Sequence, residues 1–467
     1  MNILKIAVRN IQRNVRRSLM TILAIAVGTM AMLIFGEYVA QVFVSMETQN
    51  VSRSGHISVF RTGYFKYGSG NPAAYGIHDY QTFLKLIAED SILKPLINVV
   101  TPTISLFGIA GNFDADASKT FFGLGVVPAD FNRMHLWDEH HLKLAAKLHI
   151  NKLNEQDETH GFIGVGLGRI LGLCEPLNIP DCDKKQSPET TQKSTIQDKR
   201  DFSSLEEKSN QITPESEGNT VPRLDLLAAT AASAPNVVSF YVDKAVTQGV
   251  KEFDDSIIIM NFKLAQKLLY GRGEKQAVAI VIQLNKTEDI PIARARIDKL
   301  IKEQGLDLET KELTELQPFY TQAMKMFAAI FSFISAVIGV IVLFTIINTM
   351  SMSVMERTQE IGTLRAMGVK RKGIVVQFIL EGALLGFIGA TLGLIFGSIL
   401  AQIINHSGLT WLPPGQASSI PLKVLTSGVS ELMFDIWIII SVISTIAAWV
   451  PARRAAKMKI VDALGHV

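Results

Sequence analysis

The chain has 467 residues, of which 48% are hydrophobic and 19% charged, with a net charge of +3. Soluble proteins of this length are nearer 25% charged, which argues against disorder throughout and against a nucleic-acid-binding protein. The two cysteines, Cys174 and Cys182, exclude a cysteine-rich scaffold and a four-cysteine zinc site.

Residues 1–17 are basic, with Lys5, Arg9, Arg13, Arg16 and Arg17 and no acid. No Asp, Glu, Lys or Arg occurs from Ser18 to Gly36, and the apolar character continues past Glu37 to about Val44. Roughly 20 apolar residues cross the hydrocarbon core, so 18–45 reads as the first transmembrane helix. Its basic start suits a secretory signal, but the apolar run is too long and no small-x-small cleavage site follows. It reads as an uncleaved anchor that also delivers the next segment across the membrane.

Residues 46–324 hold 30 basic and 36 acidic residues. Strand patterns occupy His56–Phe60, Thr101–Gly108, Val237–Val242, Ser256–Met260 and Ala277–Leu284. Helical periodicity occupies Tyr80–Ala88, Asn261–Leu269 and Ile292–Lys302. This interleaving without a fixed period predicts an α+β domain of one or two lobes. Gly164-Val-Gly166-Leu-Gly168 lacks the Lys and Ser/Thr of a phosphate-binding loop and reads as the start of a short helix. His135, Glu139, His140 and His141 lack metal-ligand spacing and read as a solvated surface. No catalytic residue and no metal site is assigned. Cys174 and Cys182 face the oxidising side; they form a disulfide around a small loop or remain two free thiols. Residues 183–220 have few large apolar side chains and read as a disordered insertion.

A second span, 325–353, starts at Lys325 and otherwise lies within the charge-free run Met326–Met355; a third, 374–404, precedes Pro413-Pro414. The loop 405–431 has one basic residue, Lys423, and the fourth span is 432–452. The segment 453–467 has Arg453, Arg454, Lys457 and Lys459 against Asp462. The fold class is therefore an α-helical membrane protein with four transmembrane helices and a large α+β domain between the first two. The excess of Lys and Arg in the termini and in 354–373 places those segments in the cytoplasm and 46–324 outside.

In 354–373, Ile361, Leu364 and Met367 recur at helical spacing, with Glu356, Arg357, Glu360 and Arg365 elsewhere around the helix. Gly368 is placed to cap its C-terminus. Such a helix either lies on the bilayer or docks into another protein and passes force to the membrane. In the third span, Gly382 and Gly386 are four apart, as are Gly389, Gly393 and Gly397, a spacing that lets helix backbones approach closely. Glu381 is a single charge in this helix. It is either a functional carboxylate or the partner of a basic loop residue such as Arg371.

Together these features resemble the permease superfamily that includes FtsX, MacB and the lipoprotein-releasing permeases LolC and LolE. The resemblance rests on Arg9-Asn10-Ile11-Gln12-Arg13-Asn14, on Glu356-Arg357 with Glu360-Ile361-Gly362-Thr363-Leu364-Arg365-Ala366-Met367-Gly368, and on Glu381-Gly382. It rests also on Pro451-Ala452-Arg453-Arg454-Ala455-Ala456 and Asp462-Ala463-Leu464. Gly55-His56-Ile57-Ser58-Val59-Phe60 with Gly63-Tyr64 looks most like the LolE-type branch, and the 183–220 insertion departs from the family pattern. The resemblance implies a MacB-like periplasmic core domain and the permease subunit of a mechanotransmission ABC transporter in the bacterial inner membrane. Glu356–Gly368 would be the helix that couples to cytoplasmic ATPase subunits. Those subunits would bind ATP and Mg²⁺, with no cofactor held by this chain. Further implied partners are a second permease, identical or related, a periplasmic adaptor or carrier, and membrane lipid. The implied cargo is a lipoprotein or another lipophilic molecule. A transmembrane signalling subunit that activates a periplasmic enzyme, as FtsX-like proteins do, is the alternative.

Overall fold

The computed structural model describes residues 3–13, 15–68, 70–142, 152–180, 182, 221–271, 273, 275–411 and 420–458. The 183–220 insertion lies outside them, as do Asn14 and the last residues, 459–467. The chain divides into two compact units. The membrane unit is Met1–Glu47, Gln317–Leu412 and Ser419–Val467; the soluble domain is Thr48–Leu316 with Pro413–Ser418.

Four helices of the described chain are long and apolar enough to cross a membrane. They are Val15–Ser54, Pro318–Glu356, Arg371–His406 and Ser430–Lys457, here the first to fourth helices. The first has 40 residues. At 1.5 Å per residue it is about 60 Å long, twice the hydrocarbon thickness of about 30 Å. Each helix outruns the apolar span read from the sequence, because polar residues such as Thr48, Gln49 and Asn50 keep a helical geometry that hydropathy does not report. A shorter helix, Ile3–Arg13, precedes the first. In the loop after the third helix, Thr410–Trp411 pairs antiparallel with Ile420–Pro421. There the Asn405 side chain accepts from the Val424 amide at 2.9 Å and donates to its carbonyl at 3.0 Å.

Two glycine ridges on the third helix set the close packing of the membrane unit. A Cβ on Gly382 would stand 2.3 Å from the Cβ of Ala448, and one on Gly386 2.3 Å from the Cβ of Ser444. These contacts run in opposite directions along the third and fourth helices, which are therefore antiparallel. Gly389, Gly393 and Gly397 would instead meet Ile25, Thr29 and Leu33 at 2.7, 2.5 and 2.9 Å, so the third helix runs parallel to the first. Real Cβ atoms essentially never sit so close, so Gly382, Gly386, Gly389 and Gly393 are steric requirements, while at Gly397 the atom met is the far end of the Leu33 side chain. The hydroxyls at these contacts bond back along their own helices, Thr29 Oγ1 to the Ile25 carbonyl at 2.8 Å and Ser444 Oγ to that of Ile440 at 2.7 Å.

The soluble domain is built on β1 (Ile57–Arg61), β2 (Ile97–Asn112), β3 (Ala117–Val126), β4 (His160–Gly164) and β5 (Arg223–Ala229). It continues with β6 (Pro235–Val246), β7 (Ile257–Asn261), β8 (Ala279–Leu284) and β9 (Leu308–Glu312). The 16-residue β2 serves two ladders. Its first half joins the antiparallel run β9-β1-β8-β2, with Thr101 opposite Val281. Its second half pairs with β3 and β5, and the circuit β2-β3-β7-β4-β6-β5 closes on itself. The β3–β7 and β4–β6 pairings are parallel. Helix Phe262–Tyr270 packs on this circuit; the Asn261 side chain accepts from the Lys263 amide at 2.9 Å and caps it. A Cβ on Gly125 would stand 2.3 Å from the Cβ of Ala265, so a glycine inside β3 lets this helix lie close.

His56 is buried beneath the edge of Trp137. Its Nδ1 accepts from the Leu284 amide at 3.0 Å, which leaves the proton on Nε2, 3.2 Å from Thr287 Oγ1. Burial disfavours the imidazolium and pushes the pKa down from 6.5 to about 4.

Two predictions follow from this packing. Gly386→Leu forces the third and fourth helices apart and lowers the stability of the detergent-purified chain by about 1–3 kcal/mol. Gly70→Ala, where a Cβ meets nothing within 4 Å, leaves it unchanged in the same thermal unfolding measurement. The second concerns pH. The unfolded chain takes up the His56 proton near 6.5 and the folded chain only near 4. Between these values the unfolded chain binds more protons, so stability is complete above 6.5 and falls by roughly 3 kcal/mol as the pH drops to 4. His56→Asn keeps an acceptor and cannot titrate. Hydrogen exchange at the Leu284 amide, corrected for intrinsic rate, should lose less protection on acidification in this variant than in the wild type.

Candidate functional site

The second helix ends at Glu356, and after Arg357 a nine-residue helix, Thr358–Ala366, begins. Thr358 Oγ1 donates to the Met355 carbonyl at 2.8 Å across this break. The short helix stops in a paired turn: the Val369 amide donates to the Leu364 carbonyl and the Gly368 amide to that of Arg365, both at 3.1 Å. Gly368 has φ +95°, a conformation that L side chains rarely adopt. The chain then enters the third helix at Arg371.

This helix has two faces. Ile361 is 3% exposed and Gly362 is buried, and Leu364 and Val369 pack partly buried against the core that holds Ile374, Phe378, Ala452 and Ala455. Gln359 and Thr363, one turn apart, are exposed, as are Met367 just past the helix end, by 70%, and Met355 at the end of the second helix. Of the three apolar positions that the sequence grouped together, Ile361 and Leu364 thus point inward and Met367 outward.

The charged residues hold the helix in place. Arg357 and Glu381 form a buried ion pair, their side chains 4% and 5% exposed. Arg357 Nη1 donates to both carboxylate oxygens, at 3.2 and 3.3 Å, and Nη2 donates to the Asn10 carbonyl of the N-terminal helix at 3.2 Å. The partner of Glu381 is therefore Arg357 rather than Arg371. Arg371 lies ten residues earlier on the same helix, about 15 Å along its axis, whereas Arg357 turns inward at the helix break. Arg17 pairs with Glu356 and Arg13 with Glu360 at the water-exposed edge. Arg365 Nη1 donates to the Met458 carbonyl at 2.7 Å and to that of Ala456 at 3.4 Å, satisfying acceptors that the end of the fourth helix leaves open. Exposed ion pairs contribute at most about 1 kcal/mol each. Removing one partner of a buried pair costs about 3–5 kcal/mol. The sequence did not reveal these pairings, although Arg13 and Arg17 match Glu356 and Glu360 in their spacing of four. It also passed over Glu37, which is 2% exposed on the first helix with Oε2 unpartnered among the described residues.

Outside this region the candidates are structural. Gly164, Gly166 and Gly168 end β4 and begin helix Val165–Ile170. A Cβ on Gly164 would stand 2.2 Å from the Asp254 carbonyl oxygen, and one on Gly168 2.6 Å from Ile179 Cδ1, so these glycines serve packing. Of the histidine group, His141 is exposed, while His135, Glu139 and His140 are half-buried and engaged. His135 Nδ1 lies 2.9 Å from the Phe131 carbonyl, Glu139 accepts from the Thr287 amide at 2.9 Å, and His140 abuts Trp137. Among the described residues no group of three or more His, Cys, Asp or Glu is placed to hold a metal ion. Cys174 and Cys182 are disulfide-bonded, with Cα atoms 6.0 Å apart.

Residues 329–460 match the family described as FtsX-like permease C-terminal, which takes in the short helix and the last three long ones. An uncharacterized ABC transporter permease of Methanocaldococcus jannaschii is 27% identical over 226 residues, covering 45% of this chain and 51% of its own. The macrolide export ATP-binding/permease protein MacB of Chlorobium luteolum is 26% identical over 219 residues, 45% of this chain and 30% of its own. MacB 1 of Yersinia pestis strain Antiqua is 31% identical over 159 residues, 34% of this chain and 21% of its own. The chain thus spans about half, or less, of the length of these curated relatives.

Proposed function

We propose that this chain, which belongs to the FtsX/MacB superfamily of ABC transporter permeases, is the membrane subunit of a mechanotransmission transporter. The helix Thr358–Ala366 is its coupling helix and receives force from a separate cytoplasmic ATPase that binds ATP and Mg²⁺. Two permeases, identical or related, pair with two such ATPases in the bacterial inner membrane, with the termini cytoplasmic and the soluble domain periplasmic. The cargo is a lipoprotein or another lipophilic molecule.

The observation that carries this reading is the division of labour around the short helix. Its buried face, its charged residues Glu360 and Arg365, and Glu356 and Arg357 just before it are engaged within the membrane unit. Met355, Gln359, Thr363 and Met367 are left on the surface. A helix that merely lay on the bilayer would turn its apolar face to lipid, whereas Ile361 here turns into protein. A rigidly held knob with flexible, polarizable methionines suits a protein groove.

Thr363→Trp and Met367→Asp should lower capture of the ABC ATPase that co-purifies with the wild-type chain by more than about tenfold, as substitutions at interface hot spots do. Leu364→Asp should instead lower the yield of folded protein. Undiminished ATPase capture by both surface variants would overturn the docking assignment.

A further inference from the structure

Arg357 touches three segments that are remote in sequence. It stands at the start of the short helix, its Nη1 reaches Glu381 on the third helix, and its Nη2 reaches the Asn10 carbonyl on the N-terminal helix. Its guanidinium is buried and its Nε–H has no partner among the described residues. An arginine placed only to neutralise Glu381 would set two parallel N–H groups against the carboxylate. Here a single nitrogen serves both carboxylate oxygens, while the second nitrogen is directed to a backbone carbonyl of another segment. Geometry that leaves Nε–H unsatisfied costs free energy, and what it gains is the third attachment.

We propose that Arg357 is a positioning residue that carries displacement of the short helix to the third helix and the N-terminal helix together. This rests on the reading of the short helix as the element that meets the ATPase. Pushing on that helix moves one guanidinium, and through it the Glu381 carboxylate and the Asn10 carbonyl. Of the exposed pairs, Arg13–Glu360 also joins the N-terminal helix to the short helix and Arg17–Glu356 joins the first helix to the second, but salt screens them and neither reaches the third helix. The buried node is screened far less and keeps the connection stiff.

The test separates this role from mere stability. Replacing a buried ion pair by apolar residues of similar volume is often neutral or stabilising. Arg357→Met combined with Glu381→Met therefore keeps the fold and removes the link. The full chain in nanodiscs, without ATPase, carries spin labels at the exposed positions Gln12 and Thr363. In about 1 M salt, where the Debye length is about 3 Å, the wild type should give a narrow distance distribution. The double variant should broaden it at least about twofold, while its melting temperature stays within a few degrees. Arg357→Lys, one charge with a single donor atom, should fall between them. An unchanged width in the double variant overturns the proposal. Should the double variant unfold, the width in Arg357→Lys decides in the same way. If the wild-type chain captures no ATPase, the proposed function fails, but this distance measurement still decides whether Arg357 links the segments.

Discussion

A guanidinium and a carboxylate buried side by side are expensive to take out of water, and the cost is recovered only while they stay together. Arg357 and Glu381 are such a pair. Their position decides how the chain leaves the second helix. The side chain of Arg357 has to turn inward, so the backbone breaks there, and the helix that follows lies against the membrane unit with Ile361 inside. The N-terminal helix is drawn into the same constraint through its Asn10 carbonyl. With the inner face and the charges committed, Met355, Thr363 and Met367 remain exposed.

The glycine ridges supply the second constraint. The third helix lies against the fourth through Gly382 and Gly386 and against the first through Gly389, Gly393 and Gly397. Backbone contact of this kind leaves little room for sliding. A force applied to the short helix thus meets a third helix that is braced against two neighbours and tied to the node by Glu381. The first helix continues without interruption from Val15 to Ser54, and its last turns belong to the soluble domain. That continuity joins the membrane unit covalently to the soluble domain.

Much of this was legible in the sequence, for physical reasons. A run without charge can be read directly as a span because burying charge in lipid is costly, and glycines four apart mark close packing. Polar helical turns such as Thr48–Ser54 were not legible, because hydropathy is blind to them. In the soluble domain, strands with β-branched runs were found, while β3, β4, β5 and β9 were passed over. In β3, Gly123 and Gly125 resemble turn signals, yet both face inward, where Leu106 and Ala265 crowd the site of a Cβ. β5 alternates cleanly, with Leu224, Leu226 and Ala228 buried, and could have been found from period alone. The short helix was legible from its motif, but of the apolar positions grouped there Met367 faces solvent while Ile361 and Leu364 face protein. Spacing gives an apolar stripe without saying whether protein or solvent covers it, and Arg357–Glu381 joins residues 24 positions apart that periodicity cannot connect.

The central claim is that force enters at the short helix and leaves along the first and second helices. Spin labels at Ser45 and Phe319, near the ends of those helices in the membrane unit, report it directly in a complex with the proposed ATPase. The account predicts that the distance between them shifts when ATP is bound and returns after hydrolysis, and that Thr363→Trp abolishes the shift. Identical distance distributions in the nucleotide-free, ATP-bound and ADP-bound complexes would contradict it.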